Sequence, residues 1–186
     1  MRISKPNLTD APWYLKPFFW AQRKKYGQVL MPSLVWAKMP KLFMAIAFFY
    51  GYIDRKRSPL TPALRTLVTL RVSQINWCEF CVDINSMLLI KRTGTEQKWE
   101  NLPNWRQAQI FSPEERAALD YAEKMTYSDQ HVDDSCFDEL KKYFPENAII
   151  ELTALIAFQN LSSKFNSALG IEPQEFCSRE LFKKSK

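Results

Sequence analysis

Histidine is almost absent from this chain: His131 is the only one in 186 residues. Glycine is scarce too, at 4 residues, which argues against turn-rich all-β architectures that need it at left-handed positions. No apolar run reaches the roughly 20 residues that a membrane-spanning helix needs. The nearest, residues 42–50, follows Pro40 and Lys41 and is followed by Asp54, Arg55, Lys56 and Arg57. It reads as a buried core or interface helix. An N-terminal apolar segment with a small-residue cleavage site is also missing, so a reducing cytoplasm is the expected location. Basic stripes with interleaved stacking aromatics are missing as well, and no nucleic-acid partner is expected. The net charge of +6 is modest, and its excess lies partly in Arg23, Lys24 and Lys25 and in Lys183, Lys184 and Lys186.

What is present is ordinary globular material. Hydrophobic residues make up 46% and charged residues 25% of the chain, enough apolar content for one domain over 1–186 with a real core. Within it, 1–26 forms an aromatic N-terminal arm containing Trp13, Phe18, Phe19 and Trp20, and 174–186 forms a basic tail. Leu64, Leu67, Val68, Val72 and Ile75 recur at spacings of three and four, one face of a helix. Thr61 before Pro62 supplies an N-cap, and Ser112-Pro-Glu-Glu115 reads as a capping box with proline at the first helical position. Gly27, Gly94 and Gly170 mark helix ends. No alternating segment is long enough to compete as a strand. The fold class predicted is all-α, with about seven helices.

The chemistry concentrates in Ile75-Asn-Trp-Cys-Glu-Phe-Cys81. Cys78 opens a helix and Cys81 lies one turn in, so both sulfurs fall on one side. A helix N-terminus offers free N–H groups and partial positive charge, which stabilise thiolate. Glu79 works against this, because a nearby carboxylate raises a thiol pKa. Zinc needs four ligands. His131 and Cys136 could complete a set with the pair, but the spacing is irregular and no metal is expected. Phe80, Phe158, Phe165 and Trp77 are candidates for the wall of an apolar pocket beside the thiols, with ordinary core packing as the alternative. Cys136 and Cys177 read as space-filling cysteines.

Residues 64–86 around the cysteine pair resemble the carboxymuconolactone decarboxylase family in its alkyl hydroperoxidase D-like branch. So do Leu102-Pro-Asn-Trp-Arg106, residues 111–119, residues 151–160 and Asn166-Ser-Ala-Leu-Gly170, all in matching order across 27–173. The resemblance implies an alkyl hydroperoxidase D-like helical fold that assembles into homo-oligomers, trimers or hexamers. It also implies a peroxidase: Cys81 attacks a hydroperoxide or disulfide, and Cys78, the more exposed, closes the disulfide and meets an external dithiol reductant protein. No metal or organic cofactor is needed.

The redox members of that family use a Glu twelve residues before the first cysteine and a His four after the second, as a relay that deprotonates the attacking thiol. Here those positions hold Thr66 and Asn85. Neither side chain can take a proton from a thiol at neutral pH, so weakened activity is expected. The alternative from a different class is an inactive family member that serves as a binding or assembly protein, with the aromatic arm as its docking surface.

Overall fold

The structure is a computed structural model that describes residues 1–178. Lys183, Lys184 and Lys186, which carry most of the expected basic tail, lie outside the described residues. Among those residues there are nine α-helices, the start of a tenth at Phe176, three short 3-10 turns and no strand. The all-α expectation holds, and the count exceeds the seven expected because short helices carry little periodicity of their own. Gln97–Asn101, for example, is a helix of 5 residues with no side-chain cap, and nothing in its sequence announces it.

The helices are α1 (Lys16–Tyr26), α2 (Met31–Ala37), α3 (Pro40–Ile53), α4 (Pro62–Ile75), α5 (Glu79–Thr93), α6 (Gln97–Asn101), α7 (Pro113–Lys124), α8 (Asp134–Lys141) and α9 (Glu146–Ala168). Their ends follow local chemistry. Thr61 Oγ1 accepts from Leu64 N at 3.2 Å to start α4. In the Ser112 capping box, Glu115 N donates to Ser112 Oγ at 3.2 Å and Ser112 N donates to Glu115 Oε2 at 3.0 Å. Asp133 caps α8 by accepting from Cys136 N at 2.7 Å. Gly27 and Gly94 end α1 and α5 at φ 78° and 74°, a region in which a β-carbon costs about 1 kcal/mol or more.

α4 is the centre of the molecule. The apolar stripe predicts one buried face, but Arg65, Thr66 and Ser73 are buried as well. The helix packs against α5, α7 and α9 at once. Leu64, Val68 and Val72 join a core with α7, α8 and α9, and Leu67 and Leu70 join a second core with Leu89, Leu102 and Trp105. Ser73 on α4 is tied down: its Oγ donates to Thr69 O at 2.6 Å and accepts from Gln159 Nε2 at 2.9 Å.

α3 departs from a core helix. Only Phe43 and Ile53 of its residues are buried, while Leu42, Met44, Phe48 and Tyr52 are exposed, Phe48 at 81%. The arm divides in the same way: Leu15 and Phe19 pack with Phe43 and Trp36, and Trp13 and Trp20 face outward.

Candidate functional site

The α4–α5 turn sets the geometry of the cysteine pair. Asn76 donates through Nδ2 to Asn160 Oδ1 and Ser163 Oγ, both at 2.9 Å, which fastens the turn to α9. Trp77 then adopts φ 54°, a left-handed conformation that is uncommon and costly for a bulky residue. Its ring points outward and is 84% exposed. The reversal places Cys78 as the N-cap of α5, with its Sγ accepting from Cys81 N at 3.2 Å. Cys78 and Cys81 are joined in a disulfide, with Cα atoms 5.2 Å apart.

Neither sulfur is at the surface. Cys78 is 1% and Cys81 3% exposed, so the implied exposure of Cys78 is corrected. The reason is a cover. Ile171 and Phe176 pack in the same cluster as the two cysteines, with Met1 and Leu169 against it. Asp83, two residues beyond Cys81, holds that cover down. Its carboxylate accepts from the backbone N–H groups of Gln174 (2.9 Å), Phe176 (3.0 Å) and Cys177 (2.8 Å). Asp83 thereby faces away from the cavity beside Cys81, and Glu79 is solvent-exposed.

Cys81 opens instead toward the interior, onto a cavity of about 330 Å³. Trp36, Phe43, Tyr50, Phe80 and Phe158 give it apolar walls. Of the expected wall residues, Phe80 and Phe158 line it. Phe165 stands behind, stacked on Trp36 with ring centroids 3.6 Å apart, and Trp77 plays no part. At the rim, Lys25 reaches Asp54 at 3.4 Å. Crowding around the Tyr50 hydroxyl, then Tyr26 and Asp54 nearby, raise it well above the usual phenol range, although the residue as a whole is 44% exposed.

The relay positions separate. Asn85 lines the cavity beside Cys81, with its Nδ2 donating to Cys81 O at 2.8 Å. Thr66 does not reach the cavity. Its hydroxyl donates to Pro62 O at 2.8 Å and accepts from Arg92 Nη1. A residue that no local sequence signal singles out does touch the sulfur: Asn166, on α9, donates through Nδ2 to Cys81 Sγ at 3.3 Å. Only its place in the Asn166–Gly170 segment of the resemblance marked it, and 85 residues separate the partners.

The remaining candidates lie apart. His131 is exposed. Cys136 is buried in the α7–α9 core, where burial and the nearby Asp120 push its thiol up to about 11. Cys177 is also raised, by burial and then Asp83. Among the described residues no group of three or more His, Cys, Asp or Glu could hold a metal ion. No helix among them is long and apolar enough to cross a membrane.

The carboxymuconolactone decarboxylase family matches residues 38–124. The chain is 45% identical over 172 residues to the uncharacterized protein YnjA of Escherichia coli K12, covering 92% of this chain and 94% of that one. Its fold is similar to that of an alkylhydroperoxidase AhpD core, a peroxidase-related protein from Ralstonia eutropha JMP134. The TM-score is 0.84 at 25% identity, over 95% of this chain and 94% of that one. The debrominase Bmp8 is similar at a TM-score of 0.81 and 25% identity, over 95% and 94% of the two chains.

Proposed function

The chain belongs to the carboxymuconolactone decarboxylase family, in its alkyl hydroperoxidase D-like branch, and on that premise we propose that it is a thiol–disulfide oxidoreductase that reduces organic hydroperoxides. The observation that carries this reading is the Cys78–Cys81 pair at the start of α5, with Cys81 on an apolar cavity. In the reduced state the Cys81 thiolate attacks the terminal oxygen of R–O–O–H. The O–O bond breaks, Cys81 becomes a sulfenic acid, and the alkoxide leaves as ROH after taking a proton. The Cys78 thiolate then attacks the Cys81 sulfur, the S–S bond forms, and hydroxide leaves as water after protonation. An external dithiol protein returns two electrons and two protons. No metal or organic cofactor enters the cycle.

The N-cap position favours thiolate at Cys78 and, one turn in, at Cys81. Turnover is slow in this reading, because Thr66 and Asn85 offer no base and general-base help is worth about 10²–10⁴ in rate. The exposed apolar face of α3, with Leu42, Met44, Phe48 and Tyr52, supports assembly into a homo-oligomer, trimer or hexamer. Cytoplasmic residence, where dithiol proteins reset such pairs, completes the reading.

A second reading, an inactive binding or assembly protein, is favoured by one observation: Asn85 Nδ2 is engaged with Cys81 O and Thr66 with Arg92, so neither serves the sulfur. One experiment separates the two. The pair is titrated in graded dithiol buffers, with alkylation and mass spectrometry, and the reduced protein is then challenged with cumene hydroperoxide. Stoichiometric oxidation to the Cys78–Cys81 disulfide supports the oxidoreductase. A pair that stays reduced in excess hydroperoxide rejects it in favour of binding.

A further inference from the structure

Asn166 is the polar side chain that touches the sulfur. It is 1% exposed and lines the cavity at the Cys81 end. Its two amide atoms fare differently. Nδ2 donates to Cys81 Sγ at 3.3 Å. Oδ1 is buried and has no hydrogen-bond partner. A buried carbonyl oxygen left without a donor costs about 1–3 kcal/mol, and buried polar groups with no partner are rare enough to call for an explanation. The neighbours on the cavity do not supply a donor: the Asn85 amide is turned to its own helix at Cys81 O, and Gln159 Nε2 is held by Ser73 Oγ.

An O–H brought to Cys81 would supply the missing partner. In the disulfide form, the form seen here, the sulfur carries no hydrogen. A hydroperoxide in place for attack has one on its terminal oxygen. That oxygen keeps its hydrogen as it passes from carbon-bound peroxide to sulfur: R–O–O–H and thiolate give Cys81–S–O–H and RO⁻. One fixed acceptor beside Cys81 can thus hold the same O–H in substrate, transition state and sulfenic acid. Meanwhile the amide N–H on the other side stabilises the thiolate that attacks. A disulfide substrate has no such hydrogen and gains nothing from the acceptor.

We infer that Asn166 is a catalytic amide, holding the Cys81 thiolate through Nδ2 and the O–H of an incoming hydroperoxide through Oδ1, and that it selects hydroperoxides over disulfides as the oxidising substrate. The inference rests on the oxidoreductase reading above and names which of its two substrate classes the cavity takes.

The test uses the reduced full-length chain and two reagents that both need thiolate at Cys81: cumene hydroperoxide, followed by stopped-flow fluorescence, and iodoacetamide, followed by mass spectrometry of Cys81. The thiolate effect cancels in the ratio of the two rates, and the acceptor effect does not. Asn166→Leu should lower that ratio by roughly tenfold or more, the size of one lost hydrogen bond. Asn166→Asp keeps an acceptor and raises the thiol pKa, so both rates should fall together and the ratio should stay within about threefold. An unchanged ratio in Asn166→Leu overturns the inference. A second measurement needs no variant: reduced wild-type protein should bind 2-phenyl-2-propanol, an O–H donor, roughly tenfold tighter than its methyl ether. Equal binding of the two also overturns it. Wild-type protein that is alkylated normally at Cys81 but leaves cumene hydroperoxide untouched is a different failure, that of the hydroperoxide reading itself.

Discussion

Arg92 donates to the Thr66 hydroxyl, so the position where the redox relatives carry a glutamate is occupied in bracing α4 against the last turn of α5. Arg92 also meets Asp54 at 3.2 Å. A carboxylate placed by Thr66→Glu alone would join this ion-pair group, and hydroperoxide turnover should change by less than about threefold. Asn85 lies on the cavity beside Cys81, so Asn85→His introduces a base where a proton must move. The Thr66→Glu/Asn85→His double variant should turn over cumene hydroperoxide at least roughly tenfold faster than wild type, within the general-base range. A coupled peroxide assay reads both, and no gain in the double variant would show that the missing base is not what limits the rate.

Single serine variants should split the two cysteines by role. In Cys78→Ser, hydroperoxide should leave a sulfenic acid at Cys81 that dimedone captures as one adduct. In Cys81→Ser, dimedone labelling at Cys78 should be at least about tenfold lower, since Cys78 does not line the cavity. Mass spectrometry after a short peroxide pulse reads the difference. Equal labelling would reverse or erase the assignment.

Asp83 fastens residues 174–177 over the disulfide through three N–H bonds. Hydrogen bonds to a charged acceptor contribute about 1.5–3 kcal/mol each at most, and less where water can replace the partner. Asp83→Ala should therefore lower stability by about 2 kcal/mol. It should also speed reduction of the Cys78–Cys81 disulfide by dithiothreitol by roughly tenfold, because the cover lifts more often. Chemical denaturation and a quenched alkylation time course check the two effects. A rate that does not move would mean that dithiols reach the sulfurs by another path.

Glu123 ties two segments together: Trp105 Nε1 donates to it at 2.8 Å, Arg71 Nε at 2.6 Å, and Arg106 also binds it. Burial opposes its charge, yet the bonds from Trp105 and Arg106 and the nearby Arg71 hold its carboxyl below the usual range. A depressed carboxyl stabilises the fold above its unfolded pKa, near 4.3. That contribution is lost as pH falls through the folded value. Glu123→Gln should cost about 3 kcal/mol at pH 7, the low end for a broken buried pair because Arg106 is half-exposed. The gap between wild type and variant should narrow toward pH 3. Denaturant midpoints across that range test it, and a gap constant with pH would remove the charge from the explanation.

Local signals made much of the helical framework legible from sequence. Thr61, Ser112 and the glycines at 27 and 94 each satisfy a helix end with their immediate neighbours, so spacing alone finds them. The Cys78–Cys81 pair was legible for the same reason, being one helical turn apart. Asn166 was not, because its partner is brought to it only by the packing of α9 on the α4–α5 turn. The burial of Cys78 was hidden for a similar reason, since the residues that cover it, Ile171 and Phe176, come from the other end of the chain. Thr66 shows the converse. Matching the chain to the family assigns it a role, but its actual partner, Arg92, is set by the tilt of two helices that no spacing records.

The closed position of the disulfide has a consequence for time. A sulfur pair on the surface follows the redox poise of its surroundings from moment to moment. A pair 1% and 3% exposed, beneath a strap, is set apart from that poise: on the oxidoreductase reading its state would change only when an oxidant enters the cavity or the strap opens. On that reading its oxidised fraction would lag behind the surroundings, by a time set by how long the strap stays shut.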